Sequence, residues 1–209
     1  MRISQIRKQK KHNLYDVFID DKLEFTISSK ARKKFAPKVG QEVTQEELEE
    51  LESTIERFEC EEALLNFLKY RMRSEKEVVS RLKEKNFNEE IINELIGKYK
   101  RLGYINNQAF AESYLLDLIS RRPQGRRLLV YKLREKGIDK DTIEQLSAKH
   151  LTKEAELELA IRLLTHNKWK FDNLSPDERK KKAYAFLAQK GFSYPVAKEA
   201  LEHAYSSDV

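Results

Sequence analysis

Three groups of cations are the side chains in this sequence best suited to hold another molecule. They are Arg121-Arg122 with Arg126-Arg127, Arg71 with Arg73, and the run Arg179-Lys180-Lys181-Lys182. Guanidinium and ammonium groups donate charge-assisted hydrogen bonds to carboxylates and phosphates, and the guanidinium fork can do so in pairs. Their placement is informative. Arg126-Arg127 follows Pro123 and Gly125 at an expected helix start, and Arg71 and Arg73 stand just before Ser74, an expected N-cap. The positive end of a helix dipole disfavours cations, so stability of the helix does not explain them. Contact with an acidic protein surface or DNA phosphate does. A solvated helix face accounts more simply for Arg179 to Lys182. Trp169, in Lys168-Trp169-Lys170, either anchors a partner or pins a polar connection to the fold. Tyr70, Tyr99, Tyr104, Tyr114 and Tyr131 could stack on bases, but core packing on apolar helix faces is the expectation for them.

The residues of catalysis are missing from the pattern. The six glycines form no Gly-x-Gly pair and no phosphate loop ahead of Lys-Ser/Thr. Of the four histidines only His150 and His166 are near neighbours, and no Cys/His cluster suggests zinc. Asp16, Asp20, Asp21 and Glu24 are explained by a turn rather than a cation site. No catalytic residue, metal or cofactor is therefore expected.

Composition narrows the setting. Charged residues make up 36% of the 209 and net charge is +6, a balance typical of helices with solvated outer faces. The signs are segregated: largely basic up to Lys38 and almost wholly acidic from Glu42 to Glu62, as in chains that meet a charged polymer or partner. The single cysteine, Cys60, rules out an intrachain disulfide and fits a reducing compartment. No apolar run is long enough for a membrane span and no secretory signal is recognisable. A cytoplasmic protein without a membrane partner is expected.

The elements that must position the cations follow from periodicity. Leu14 to Ile27 alternates with period two around Asp20-Asp21-Lys22, the pattern of a hairpin, with Ile3 and Ile6 available for a third strand and Ser29 to Phe35 for a short helix. Thr44-Gln45-Glu46-Glu47 is a capping box opening an acidic helix that carries Leu48, Leu51 and Ile55. Three stretches then repeat one design: Leu82 to Phe87, Leu133 to Ile138 and Leu187 to Phe192. Each ends a helix with Lys, then Gly or Asn for a left-handed turn, then a large apolar residue before a new cap, Asn88, Asp139 or Ser193. An apolar helix precedes each. The expected fold is mainly all-α: three tandem three-helix repeats stacked into an elongated array, behind a small N-terminal β-hairpin segment. The boundaries expected are 1–43 for that accessory segment, 44–58 for an acidic connecting helix, and 59–106, 107–151 and 152–209 for the repeats.

In this order and spacing the motifs resemble those of the RecX family. Arg71-Met72-Arg73-Ser74-Glu75-Lys76-Glu77 with Leu82 and Lys85-Asn86-Phe87 resembles its first repeat. Gly103-Tyr104-Ile105-Asn106-Asn107 with Phe110-Ala111 resembles the junction into its second, and Gly125, Leu133 and Lys136-Gly137-Ile138 resemble the second repeat itself. Asn86 stands where Gly is usual and Asn107 where Asp is commoner, and Asn167 to Asp177 is a long polar insertion. The resemblance implies a monomeric, non-enzymatic regulator in DNA recombination, repair and the SOS response. Its partner would be the RecA filament on single-stranded DNA, with a weak direct DNA contact at most, and its effect inhibition of ATP hydrolysis, strand exchange and co-protease action. The partner-binding candidates are Arg71, Arg73, Arg121, Arg122, Arg126, Arg127, Lys180, Lys181, Lys182 and Trp169. A direct DNA-binding protein built of basic helix–turn–helix-like repeats is the competing reading.

Overall fold

The computed structural model describes residues 1–10 and 12–205; Lys11, one of the basic residues of the first stretch, lies outside them. Three strands, β1 (Ile3–Lys8), β2 (Leu14–Ile19) and β3 (Lys22–Ser28), form an antiparallel sheet in sequence order. Ile19 pairs with Lys22 across a two-residue turn in which Asp20 and Asp21 both have positive φ, 47° and 65°. That is the backbone of a type I′ hairpin, and Asp tolerates it better than most residues. Asp16 has a different role from its neighbours. It sits within β2, where its carboxylate accepts hydrogen bonds from Gln9 Nε2 (2.6 Å) and Thr26 Oγ1 (3.0 Å). The Gln9 bond above all, with Thr26 and the nearby Arg7 charge, outweighs burial and holds the carboxyl below its usual pKa.

Ten α-helices follow among the described residues. They are α1 (Ser29–Phe35), α2 (Gln45–Leu68), α3 (Glu75–Lys83), α4 (Glu89–Arg101), α5 (Asn107–Arg121), α6 (Arg126–Glu135), α7 (Lys140–His150), α8 (Lys153–His166), α9 (Pro176–Gln189) and α10 (Tyr194–Tyr205). A 3₁₀ turn, Lys168–Lys170, lies between α8 and α9. No described helix is long and apolar enough to cross a membrane. The reading of a mainly helical chain with three three-helix repeats and a small N-terminal sheet is thus what the fold contains.

The chain divides into two compact units, Met1–Met72 with Val78–Tyr104, and Arg73–Glu77 with Ile105–Val209. In the first, the sheet shares a core with helix α2. Ile3, Val17, Ile19 and Ile27 pack with Leu48 and Ile55, and Phe58 is half-buried beside them. Helix α2 begins at the expected capping box: Glu47 N–H donates to Thr44 Oγ1 and Thr44 N–H to Glu47 Oε2. It then runs without a break to Leu68, so the connecting helix expected to end at residue 58 and the first helix of repeat 1 are one element. Its first half covers the sheet. Its second half buries Cys60 and Leu64, and burial pushes the Cys60 thiol up to about 11. A chain starting at Glu46 would expose Leu48 and Ile55, each worth about 1.5–3 kcal/mol when buried. Such a truncation is expected to keep the helices of repeats 2 and 3 but to fray α2 as far as Ile55. Hydrogen exchange at residues 47–55 checks this, and native-like protection there would show the hairpin to be dispensable.

The repeat markers are helix-ending turns. Asn86, Gly137 and Gly191 have φ of 61°, 77° and 87°. After two of them the chain closes back on the helix: Ile138 N–H donates to the Leu133 carbonyl (3.2 Å) and Phe192 N–H to that of Leu187 (3.1 Å). The new helices start at the expected caps, with Asn88 Oδ1 accepting from Glu90 N–H and Asp139 Oδ1 from Thr142 N–H. Repeat 2 closes around Phe110, Leu115, Leu129, Leu133, Ile138 and Ile143. Repeat 3 closes around Leu159, Leu163, Leu187, Phe192, Val196 and Leu201. The polar insertion belongs to that core as well, since Phe171 is buried in it and Leu174 packs against it.

Candidate partner-binding surface

In the second unit, one interlock occurs twice. The start of α6 lies against the turn that ends α9. Gly125 N–H donates to the Lys190 carbonyl (2.9 Å) and Arg127 N–H to that of Gly191 (3.3 Å). A Cβ placed on Gly125 would lie 2.3 Å from the Gly191 backbone. Gly125 has no side chain with which to cap α6, and Glu156 of α8 supplies one, its Oε1 accepting from Arg126 N–H at 3.0 Å. Likewise the start of α3 lies against the turn that ends α6. A Cβ on Gly137 would lie 2.8 Å from Lys76 Cβ, and Lys136 Nζ pairs with Glu77 Oε1 at 2.7 Å. Here Ser74 and Glu77 form a reciprocal capping box, and Asn107 Oδ1 of α5 accepts from Glu75 N–H at 2.8 Å. In both places a residue at the start of the next repeat caps a helix that is not its own.

This geometry explains why arginines stand at the start of α6. The Glu156 carboxylate places a negative charge at the positive helix end, which offsets their cost. Arg127 reaches away from its own helix, and its Nη2 donates to the Ala188 carbonyl (3.0 Å) in the last turn of α9, where the dipole favours a cation. Arg126 Nη1 donates to the Leu151 carbonyl at 3.5 Å. Both remain exposed and line a surface groove of about 700 Å³ with Tyr131, Arg134, Phe192 and Ser193.

The other candidates are spread over the chain. Arg121 and Arg122 are exposed at the end of α5, and Arg121 Nε pairs with Asp117 at 2.6 Å. Arg122 lies close enough to Lys132 to disfavour its charge. Lys180, Lys181 and Lys182 are exposed along α9, and Trp169 projects from the 3₁₀ turn with 70% of its surface accessible. Trp169 therefore does not pin the connection; Phe171 does. Arg71 is exposed and donates to the Met72 carbonyl (3.1 Å), whereas Arg73 is half-buried.

The expectation of core packing fails for three tyrosines. Tyr70, Tyr104 and Tyr131 are 81%, 63% and 56% exposed, while Tyr99 is buried and donates to Glu61 Oε1 at 2.8 Å. The reason for Tyr131 is phase. The buried side of α6 carries Leu129 and Leu133, and a residue midway between two positions four apart lies on the opposite side. Sequence reasoning also passed over Lys132, Arg134 and Lys190, whose significance comes from neighbours distant in sequence.

Among the described residues no group of His, Cys, Asp and Glu could hold a metal ion.

The family models described as the first, second and third three-helix domains of RecX match residues 60–98, 106–146 and 154–201. Over 212 residues the chain is 34% identical to the regulatory protein RecX of Bacillus subtilis, covering 99% of this chain and 78% of that protein. This chain belongs to the RecX family. The RecX of Finegoldia magna is 34% identical over 203 residues, covering 95% and 98% of the two chains. A crystal structure of regulatory protein RecX superposes with a TM-score of 0.69 at 26% identity over 96% of this chain and 98% of the other. That of RecX from Lactobacillus salivarius gives 0.65 at 27% identity, over 71% of this chain and 96% of the other. The interlocks also give physical reasons for the two departures from the usual RecX residues. Asn86 is exposed, so a Cβ meets no obstacle there and only the positive φ remains to be met. Asn107 faces the Glu75 carboxylate, to which its Nδ2 donates at 3.4 Å; an Asp there would set two carboxylates face to face.

Proposed function

We propose that this chain is a regulator of the RecA recombinase that binds the RecA filament on single-stranded DNA. In this reading it restrains the filament's ATP hydrolysis, strand exchange and co-protease action, as a cytoplasmic monomer without chemistry of its own. The observation that carries the reading is membership of the RecX family along nearly the whole chain. The interlocks support it. The α6–α9 junction joins repeats 2 and 3 backbone to backbone, so weak contacts made by both would add as those of one rigid body. Such a body, lying along the filament groove across more than one RecA subunit, would exclude a second DNA strand and a protein substrate by overlap alone.

The test is RecA ATPase and filament length on single-stranded DNA as this protein is added, with binding to filament and to free RecA compared at matched salt. The expected result is inhibition at substoichiometric to equimolar protein and a preference for filament of at least about tenfold, or about 1.4 kcal/mol. Equal affinity for free RecA and filament would rule out the spanning mode. No effect on ATPase or filament length would sink the regulator reading itself.

A further inference from the structure

Three residues that line the groove in the second unit form a row along α6. Arg126, Val130 and Arg134 stand four residues apart, so their side chains follow one line on the helix surface. At 1.5 Å of rise per residue, Val130 lies about 6 Å and Arg134 about 12 Å beyond Arg126. A cation thus stands at each end and an aliphatic side chain between them. Val130 is half-buried on the core of repeat 2, and Phe192, which shares the groove, is buried in that of repeat 3. Tyr131 is held beside the row, its OH donating to Glu135 Oε1 at 3.0 Å.

Neither end of the row is paired with a carboxylate side chain. Among the described residues the Arg134 guanidinium has no hydrogen bond or ion pair, and that of Arg126 makes only the 3.5 Å bond to the Leu151 carbonyl. Arg134 is in the last turn of α6, where the dipole favours a cation. That accounts for its charge but leaves its hydrogen-bond donors open. Glu156 also lines the groove, but it is buried and its Oε1 already accepts from Arg126 N–H at 3.0 Å. Arg127 is engaged with the Ala188 carbonyl. The donors left for a ligand are therefore those of Arg126 and Arg134, with an apolar floor between them.

A ligand that fits must bring a negative group to each end, about 12 Å apart, and an apolar group to the middle. In an extended peptide, side chains on one face recur every second residue, about 6.6 Å apart. An acidic, an apolar and an acidic residue at alternate positions then meet the row nearly in register. A polynucleotide carries a charge on every residue, so it would lay phosphate over Val130 or beside Glu156. We propose that this groove binds an extended acidic segment of a partner protein, with two carboxylates on Arg126 and Arg134 and the apolar side chain between them on Val130. The site rests on the regulator reading only for the identity of the protein that owns the segment. Binding is tested without RecA, so a failure here leaves regulation through other contacts standing, and a chain that does not inhibit RecA can still bind the peptide.

A short fluorescein-labelled peptide carrying Glu-Ser-Leu-Ser-Glu is titrated with the full chain at low salt and followed by anisotropy. Two peptides of equal charge are compared with it. One has Ser in place of Leu, and the other spaces Glu, Leu and Glu four residues apart, as a helical ligand would need. The first peptide is expected to bind saturably and both others about tenfold more weakly. Arg134→Ala should weaken the first peptide about tenfold with an unchanged circular dichroism spectrum. Of two further peptides, each with one Glu changed to Gln, one should lose nothing more on Arg134→Ala, which identifies the carboxylate that this arginine holds. No saturable change with the first peptide, equal affinity for the Ser peptide, tightest binding at the four-residue spacing, or an Arg134→Ala loss as large for oligothymidylate as for the peptide would each overturn the proposal.

Discussion

Replacing Gly125 by alanine is expected to destabilise the second unit by about 3 kcal/mol or more, at the upper end of what overpacking costs. Gly125 has φ of −74°, which any residue adopts, so backbone strain plays no part. The cost is wholly one of space. The added methyl would lie 2.3 Å from the carbonyl carbon and oxygen of Gly191 and from Phe192 N, all main-chain atoms that cannot rotate away. Relief requires α6 to withdraw from the α9 turn. That breaks the bonds from Gly125 N–H to Lys190 and from Arg127 N–H to Gly191 and pulls Arg126 N–H from Glu156. Thermal unfolding of this unit should move down by roughly 6–12 °C at the usual 2–4 °C per kcal/mol. Gly97→Ala is the control. Gly97 lies within α4, where a methyl meets only Arg101 Nη1 at an ordinary 3.7 Å. There the helix preference of alanine should stabilise by about 0.5–1 kcal/mol. Opposite signs for the two substitutions in denaturant titration are the expected outcome; an unshifted Gly125→Ala midpoint would mean that the interlock is not close-packed.

The contrast between these glycines shows what the sequence could carry. The turns at Asn86, Gly137 and Gly191 were legible because a helix end is a local event: a basic residue, a residue tolerant of positive φ and an apolar residue stand side by side. The caps at Thr44, Asn88 and Asp139 were legible for the same reason, since the donor and acceptor are two or three residues apart. Gly125 reads as a helix start, but its need for hydrogen in place of a methyl arises from Gly191, sixty-odd residues away. Glu156 and Asn107 as caps for helices in the preceding repeat are hidden in the same way. The continuity of α2 through Phe58 was hidden by composition: an acidic first half looked like a connector, though it carries Leu48 and Ile55 into the sheet's core. Among the candidate binding residues the basic types were visible, but not which of them meet. Arg122 and Lys190 both act on Lys132, and Arg126 and Arg127 share a groove with Arg134, only once the repeats are packed.

Changing Arg121, Arg122, Arg126 and Arg127 together to alanine is expected to lower affinity for the RecA filament more than hundredfold, without loss of helical circular dichroism. Exposed charges add little to folding, so the first three should cost the fold little, despite the Asp117 pair of Arg121 and the 3.5 Å bond of Arg126 to Leu151. Arg127 differs. Its hydrogen bond to the Ala188 carbonyl holds α6 to α9, and losing it should cost about 1 kcal/mol of stability. Arg127→Ala is therefore measured alone as well, to separate loosening of the interlock from loss of a partner contact. In binding, each charge-assisted contact to a carboxylate or phosphate is worth about 1.5–3 kcal/mol, so even two lost contacts would account for a hundredfold. If the partner groups are phosphates, the slope of log affinity against log salt should also fall by roughly 0.7–0.9 for each contact removed. If they are carboxylates of the filament, affinity and association rate should fall, with a shallower change in slope. An unchanged affinity and slope in the fourfold variant would show that these arginines serve only solvent and the interlock, and would move the search for the binding face to α9 and Trp169.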